Sequence, residues 1–173
     1  MTKDNNPIIS FKDFTFKYTA QAEPTLYNIN LDIHKGEKVL ICGPSGCGKS
    51  TLSHCLNGLI PASYDGESTG SLTIAGKSYK EHSIFSLSKI VGTVLQDSDG
   101  QFIGLTVGED IAFALENEST PLEQMKTRVL EAAKKVGIEG FLNHAPHELS
   151  GGQKQRVSLA GIMVDNVEVF LFD

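Results

Sequence analysis

Hydrophobic and polar residues alternate along the first part of the chain, as they do in β-strands that bury one face. This alternation covers residues 8–18 and 26–33 and predicts two strands. The continuous apolar run at 39–42 predicts a strand covered on both faces, as in a parallel sheet. Residues 61–70 are rich in Gly, Ser, Pro and Asp and predict a surface loop. Further short strands are predicted at 71–74, 90–95 and 167–172.

Helical spacing of apolar residues predicts four helices, two of them with capping signals. They are placed at 49–57, from Thr106 through Leu115, from Pro121 to Val136, and from near Gly152 through Met163. Thr106 and Glu109 have the spacing of a capping box, in which each side chain bonds the other residue's backbone N–H. Thr120 and Glu123 repeat that spacing, and Gly137 is expected to end the third helix.

Composition and charge exclude several classes of protein. Of the 173 residues, 40% are apolar and 21% are charged, which is typical of a globular domain and not of a disordered chain. The 15 Lys and Arg against 21 Asp and Glu leave a net charge of −6, which argues against non-specific binding of nucleic acid. No apolar run approaches the ~18 residues that span a bilayer, and the first residues lack the pattern of a secretory signal. The 3 cysteines, an odd number without a CxxC motif, indicate reduced thiols.

The first chemical signal is a glycine-rich loop at 43–51, between a predicted strand and a predicted helix. It matches the Walker A pattern G-x-x-x-x-G-K-[ST] in full. Glycines let backbone N–H groups turn toward an anion, and the following helix presents its positive end there. Lys49 is expected to supply a charge for the β- and γ-phosphates, and the Ser50 hydroxyl can ligate Mg²⁺. A plain surface turn is the weaker interpretation, because both flanking elements are predicted. The expected nucleotide contacts are Gly43, Pro44, Ser45, Gly46, Cys47, Gly48, Lys49, Ser50 and Thr51.

A second anion-binding helix start is predicted at residues 149–153, which read Leu-Ser-Gly-Gly-Gln. One nucleotide needs only one such helix start from its own subunit, so the economical interpretation is a nucleotide held between two subunits. The segment alone could be a flexible turn. That alternative loses weight because a Walker A motif precedes it and an apolar run ending in Asp173 follows it.

On these residues the sequence resembles the ATP-binding subunits of ABC transporters over essentially its whole length. Residues 43–51 resemble the Walker A motif of that family, 149–153 its signature and 169–173 its Walker B motif. By the resemblance, the signature residues that contact the nucleotide are Ser150, Gly151, Gly152 and Gln153.

The resemblance also implies roles for single residues, with ATP and Mg²⁺ as cofactors. Asp173 is expected to hold Mg²⁺ directly or through water, together with Ser50, while Lys49 holds the triphosphate. Gln96 resembles the Q-loop glutamine, which touches Mg²⁺ and the attacking water and senses the membrane partner. Tyr18 resembles the aromatic residue that stacks on adenine, although from the residues alone it is a plain edge-strand aromatic.

A narrower similarity connects the chain with the energy-coupling-factor type, whose members import vitamins or transition-metal ions. It rests on residues 96–103, 106–113 and 116–117. Asp97 and Ser98 depart from this pattern, since that type usually has Asn-Pro at these positions.

The fold class implied by the resemblance is α/β. It comprises a P-loop NTPase core with a mainly parallel sheet, an antiparallel β subdomain and a helical insert, incomplete at the C-terminus. The expected organisation is a single nucleotide-binding domain over 1–173. Residues 1–95 and 155–173 form its β and P-loop core, and residues 96–154 form the Q-loop and helical subdomain.

The implied protein is an ATPase subunit, peripheral on the cytoplasmic face of the membrane. It pairs head to tail with a second ABC ATPase domain, identical or different, and energises integral membrane subunits; no nucleic acid partner is expected. In the family a catalytic Glu follows the Walker B Asp, so a chain ending at Asp173 is expected to be truncated and a poor ATPase. The alternatives are another ABC-type ATPase, in a transporter or soluble, and a module that binds ATP without hydrolysing it.

Overall fold

The computed structural model describes residues 6–95 and 102–173 of the chain. The chain forms two units, Met1–Val91 and Gly92–Asp173. The strands are Ile9–Tyr18 (β1), Leu26–Ile33 (β2), Gly66–Ile74 (β3), Lys77–Ser78 (β4), Val91–Val94 (β5) and Val169–Phe172 (β6). The α-helices are Lys49–Asn57 (α1), Leu59–Ala62 (α2), Ile84–Ser88 (α3), Val107–Asn117 (α4), Leu122–Val136 (α5) and Gly151–Met163 (α6). No helix among the described residues is long and apolar enough to cross a bilayer.

An antiparallel sheet of order β2-β1-β3-β4 is the main element of the first unit. The strands predicted at 8–18 and 26–33 are confirmed as β1 and β2. Full burial of one large apolar side chain contributes about 1.5–3 kcal/mol, so β1 at the centre of the sheet contributes much of this core. The side chains of β1 that are 1% exposed are Ile9, Phe11, Phe14 and Phe16.

An extra residue interrupts β1 at Asp13, where φ is 47° and the pairing with both neighbouring strands shifts. Because of this bulge, the buried positions Phe11 and Phe14 are three residues apart instead of two. Both halves of the strand therefore keep their apolar face on the core. Gly70 of β3 lies opposite, and a Cβ on it would come within 2.3 Å of the Asp13 carbonyl oxygen. Only glycine fits at this position.

β3 begins earlier than the sequence predicts. Residues 66–70, expected in a surface loop, belong to this strand and pair with the second half of β1. Gly66 lies opposite Tyr18, and Glu67 lies opposite Lys17. Pairing with a neighbouring strand overrides the weak intrinsic strand preference of Gly and Ser.

Residues 39–42 do not form the predicted buried strand. In the described part of the chain they belong to no strand, and Val39, Leu40 and Ile41 are 46%, 86% and 43% exposed. An apolar run predicts burial, but a strand also needs a neighbour whose backbone completes its hydrogen bonds. None of the described strands pairs with this segment.

Helices α4, α5 and α6 surround the core of the second unit. α4 begins with the predicted capping box: the Glu109 N–H donates to the Thr106 hydroxyl (3.2 Å), and the Thr106 N–H donates to the Glu109 carboxylate (3.0 Å). The predicted cap at Thr120 is wrong, because α5 begins one residue later with Pro121 as its N-cap. Gly137, with φ of 69°, ends α5 as predicted.

β5 and β6 pair as a two-stranded parallel sheet. The Asp173 N–H donates to the Val94 carbonyl oxygen at 3.1 Å. β6 is less covered than its apolar run predicts, since Phe170 and Phe172 are 43% and 65% exposed. With its helices, the antiparallel β subdomain and this short parallel sheet, the chain has the predicted α/β fold class.

Candidate functional site

The glycine-rich loop leads directly into α1. Gly46 (φ 80°) and Gly48 (φ 98°) adopt backbone angles that favour glycine. A Cβ on Gly48 would lie 2.9 Å from the Thr25 carbonyl oxygen and 3.1 Å from a Leu26 methyl carbon. Both the backbone angle and this close approach therefore select glycine at 48. Because the first N–H groups of a helix have no partners within it, the start of α1 can bind an anion.

The Lys49 side chain folds back over the loop. Its Nζ donates to the carbonyl oxygens of Gly43 (2.9 Å) and Pro44 (2.8 Å) and contacts the Cys47 sulfur at 3.8 Å. The ammonium group therefore lies on the loop that leads into α1. A flexible cation and a helix N-terminus favour the same kind of ligand, which is a polyanion such as a triphosphate.

Ser50 and Thr51 lie in the first turn of α1 and differ in exposure. Ser50 is exposed, so a ligand can reach it, whereas Thr51 is buried. Tyr18, at the end of β1, donates its hydroxyl proton to Thr51 Oγ1 at 3.0 Å. The structure thus brings Tyr18 to the helix that follows the glycine-rich loop. Its stacking on adenine stays a prediction.

Sequence patterns do not reveal two further residues that lie near Tyr18. The ring centroid of Tyr64 is 6.2 Å from that of Tyr18, and His54 stacks on Tyr64 at 4.8 Å. His54 follows Thr51 by three residues on α1, so helical spacing is the signal that could have placed it near the loop. Tyr64 has no such signal, because it comes from the segment between α2 and β3.

Ser150 caps α6 through reciprocal hydrogen bonds with Gln153. The Ser150 N–H donates to Gln153 Oε1 (2.8 Å), and the Gln153 N–H donates to Ser150 Oγ (3.4 Å). Gly151 and Gly152 follow in the first turn and are exposed. A Cβ added to either would meet no heavy atom of the described residues within 4 Å. Packing inside this part of the chain therefore does not require glycine at either position.

A cavity of about 550 Å³ is bordered by α6 and by the ends of β5 and β6. Gly152, Arg156 and Asp173 all line it, so the structure brings the start of α6 and Asp173 to one opening. Arg156 and Asp173 therefore border a largely apolar space. The remaining lining residues are Val94, Leu95, Gln155, Leu159 and Phe172.

Gln96 lies outside the described residues, together with residues 97–101. Its contacts with Mg²⁺ and with the attacking water stay a prediction.

The three thiols differ in accessibility. Cys55 on α1 is buried, and burial raises its pKa to about 12. Its sulfur is therefore protonated and unreactive at neutral pH. Cys42 and Cys47 are exposed, and Cys47 lies inside the loop. The Cys47 thiol thus offers a chemical probe of the loop.

Known proteins of related sequence are described as ATP-binding proteins of ABC transporters. The family model "ABC transporter" matches residues 26–173. A "Putative ABC transporter ATP-binding protein" of Clostridium perfringens is 62% identical over 170 residues, which are 98% of this chain and 30% of that protein. A protein so named from Streptococcus mutans is 62% identical over 167 residues, 96% of this chain and 30% of its own length. The chain thus spans 30% of the length of these relatives.

A solved structure has a similar fold. It is CbiO1 from Clostridium perfringens, described as part of the ABC transporter complex cbiONQ. The TM-score is 0.86 and the sequence identity is 32%. The similarity covers 97% of this chain and 65% of the CbiO1 chain.

Proposed function

The chain belongs to the ABC transporter family of ATP-binding domains, and from this premise we propose that the full protein binds and hydrolyses ATP to drive a membrane importer. The observation that carries the proposal is the loop at 43–51, where the Lys49 ammonium lies beside the start of α1. The proposed importer is of the energy-coupling-factor type, with a vitamin or a transition-metal ion as its cargo. The similarity to CbiO1 supports this type.

The triphosphate is proposed to bind over the loop. Its oxygens replace the carbonyl groups of Gly43 and Pro44 as partners of the Lys49 ammonium, because an ammonium attracts a negatively charged phosphate oxygen more strongly than a neutral carbonyl oxygen. Backbone N–H groups of the loop and of the first turn of α1 bind further oxygens. Tyr18 stacks on the adenine base.

Ser50 and Asp173 are proposed to hold Mg²⁺. The donor set fits this ion, since Mg²⁺ takes oxygen ligands from one or two side chains and from substrate phosphates, and both side chains are exposed. When bound, the ion neutralises charge that develops on the β- and γ-phosphates. Gln96 is proposed to orient the attacking water. Positioning and charge stabilisation carry most of phosphoryl transfer, so few reactive side chains are needed.

The signature segment is proposed to contact a nucleotide held by a second ABC ATPase domain, identical or related. Ser150 and Gln153 set the start of α6, which presents backbone N–H groups to an anion. The open space beside Gly151 and Gly152 supports the proposal, because a molecule from outside can approach the backbone there without meeting a side chain. ATP binding then closes the pair of domains, and hydrolysis opens it.

The proposed location is the cytoplasmic face of the membrane, beside integral membrane subunits. Isolation of the full protein with its neighbours from solubilised cells tests this. Recovery of integral membrane subunits supports the importer. Recovery with ribosomes or DNA instead contradicts it and favours a soluble ABC-type ATPase.

Replacement of Lys49 by alanine tests the nucleotide site in the full protein. A hydrogen bond to a charged group contributes about 1.5–3 kcal/mol, so the Kd for ATP with Mg²⁺ is expected to rise about 10- to 150-fold. Isothermal titration measures the Kd. The control is Lys77→Ala, which removes an exposed lysine of β4 and is expected to keep the wild-type Kd.

An unchanged Kd in Lys49→Ala would falsify the assigned site. Phosphate release by the wild-type full protein distinguishes an ATPase from a module that only binds ATP. ATP binding without phosphate release supports a module that binds ATP and does not hydrolyse it.

A further inference from the structure

We propose that His54 and Tyr64 are positioning residues for nucleotide binding, because they hold the Tyr18 ring in place relative to the glycine-rich loop at 43–51, which we call the phosphate loop. Tyr18, His54 and Tyr64 together form what we call the aromatic platform. The inference rests on the proposed function, since it concerns the base of the bound nucleotide.

Tyr18 is held by three contacts. Its ring meets Phe16 edge to face, with centroids 4.9 Å apart and an interplanar angle of 84°. It meets Tyr64 in the same way, at 6.2 Å and 81°. Its hydroxyl donates to Thr51 Oγ1 at 3.0 Å. Edge-to-face contacts at these distances are a favoured geometry of aromatic pairs, so the half-buried ring has little freedom to rotate.

Tyr64 lies in a short segment whose backbone is bonded at both ends. The Tyr64 N–H donates to the Leu59 carbonyl oxygen at 3.0 Å. The next residue, Asp65, accepts a hydrogen bond from the Thr19 N–H at 3.2 Å. The second of these bonds joins the segment to the end of β1, directly after Tyr18. The backbone therefore places the Tyr64 ring against the Tyr18 ring.

His54 supports Tyr64 from α1. The two rings are nearly parallel, with centroids 4.8 Å apart and an interplanar angle of 11°. The Nδ1 atom of His54 is buried and has no hydrogen-bond partner among the described residues. A buried polar atom without a partner costs free energy, so hydrogen bonding by Nδ1 does not explain the position of His54. The stack on Tyr64 is the aromatic contact that the structure shows for the His54 ring.

The aromatic platform joins α1 to the end of β1 by two contacts. One is the Tyr18–Thr51 hydrogen bond, and the other is the Tyr64–His54 stack. Because α1 begins at the phosphate loop, both contacts set the Tyr18 ring at a fixed place relative to bound phosphates. A ring already held in place loses less entropy when a base stacks on it. The platform is therefore expected to raise the affinity for a nucleotide. It is not expected to change the affinity for a triphosphate that carries no base.

The experiment compares two probes, ATP and inorganic tripolyphosphate, each with Mg²⁺, by isothermal titration of the full protein. The Kd for tripolyphosphate divided by the Kd for ATP measures how much the nucleoside adds to the affinity. In Tyr64→Ala this ratio is expected to fall by about 2- to 12-fold, the range of one aromatic pair, while the Kd for tripolyphosphate changes less than about twofold. Tyr64→Phe keeps the ring and is expected to keep the wild-type ratio.

The matched control is Tyr27→Ala, which removes a tyrosine of β2 that is 77% exposed in the same unit. Both Kd values are expected to stay at the wild-type level. A Tyr64→Ala protein with the wild-type ratio refutes the inference. An equal loss of affinity for both probes also refutes it, because that is the effect of a purely structural residue.

Two further outcomes separate the inference from the proposed function. A wild-type protein that binds neither probe refutes the proposed function, and the role of the platform with it. If the wild-type protein binds ATP and tripolyphosphate with the same Kd, the base contributes nothing to binding. That result refutes the platform and leaves phosphate binding intact.

Smaller changes keep the inference testable where Tyr64→Ala does not fold. Tyr18→Phe removes only the hydroxyl that bonds Thr51. His54→Ala removes the ring that stacks on Tyr64. Each is expected to lower the ratio and to leave the Kd for tripolyphosphate unchanged. A wild-type ratio in both variants overturns the inference.

Discussion

Alanine at position 152 is expected to stabilise the chain and, at the same time, to weaken its pairing with a partner domain. Gly152 lies in the first turn of α6, and a Cβ on it meets no described heavy atom within 4 Å. Replacing glycine by alanine within a helix stabilises the folded state by about 0.5–1 kcal/mol, because the alanine variant loses less backbone entropy on folding. For a domain of this size the melting temperature rises by about 1–4 °C.

The effect on association has the opposite sign. In the proposed function, a nucleotide held by the second domain approaches the backbone at Gly151 and Gly152. A methyl group at 152 occupies the space through which a phosphate reaches the N–H groups of α6. Loss of one hydrogen bond to a charged group costs about 1.5–3 kcal/mol, so nucleotide-dependent dimerisation weakens by about 10- to 150-fold.

Gly161→Ala is the matched control, because Gly161 lies in the same helix and a Cβ on it also meets no described heavy atom within 4 Å. It is expected to raise the melting temperature by a similar amount and to leave dimerisation unchanged. Differential scanning calorimetry measures stability. Light scattering with a non-hydrolysable ATP analogue measures the dimer fraction. Equal dimerisation by the Gly152→Ala and Gly161→Ala proteins would refute the reasoning about association. A Gly152→Ala protein less stable than the wild type would show that a Cβ does not fit at position 152.

Two further predictions concern the loop and the caps. ATP is expected to protect Cys47 from a maleimide at neutral pH, whereas Cys55 is not modified with or without ATP, because burial holds its pKa at about 12 and keeps the thiol protonated below that pH. Peptide mass spectrometry measures both, and labelling of native Cys55 contradicts its burial. Thr106→Ala is expected to destabilise the protein by about 0.5–2 kcal/mol, since it removes the hydroxyl that caps α4. Thr120→Ala, which does not cap α5, is expected to change stability by less than about 0.5 kcal/mol in urea unfolding, and equal losses in both variants would contradict this distinction.

Elements with local signals could be predicted closely from the sequence. The strand at 26–33 and the helix at 49–57 are observed with these bounds. Gly48 and Gly58, both with positive φ, set the two ends of that helix. Alternation, capping residues and such glycines act through neighbours along the chain, so their effect can be predicted before the fold is known.

Strand pairing limited the prediction. Residues 39–42 have the composition of a buried strand but are not part of one in the described structure. Residues 66–70 have the composition of a loop but pair with β1. Intrinsic strand preference is weak compared with the gain from a paired neighbour, and sequence composition does not say which segments become neighbours.

The candidate site likewise has features that follow from adjacent residues and features that depend on tertiary contacts. Gly46, Gly48 and Lys49 lie in one short motif, so the proposed affinity of the loop for an anion follows from adjacent residues alone. The hydrogen bond between Tyr18 and Thr51 joins residues 33 positions apart, and the contact of Tyr18 with Tyr64 spans a still longer stretch of chain. Such contacts depend on the bulged path of β1 and on its pairing with β3. They exist only once folding has brought distant segments together, so no local sequence pattern predicts them.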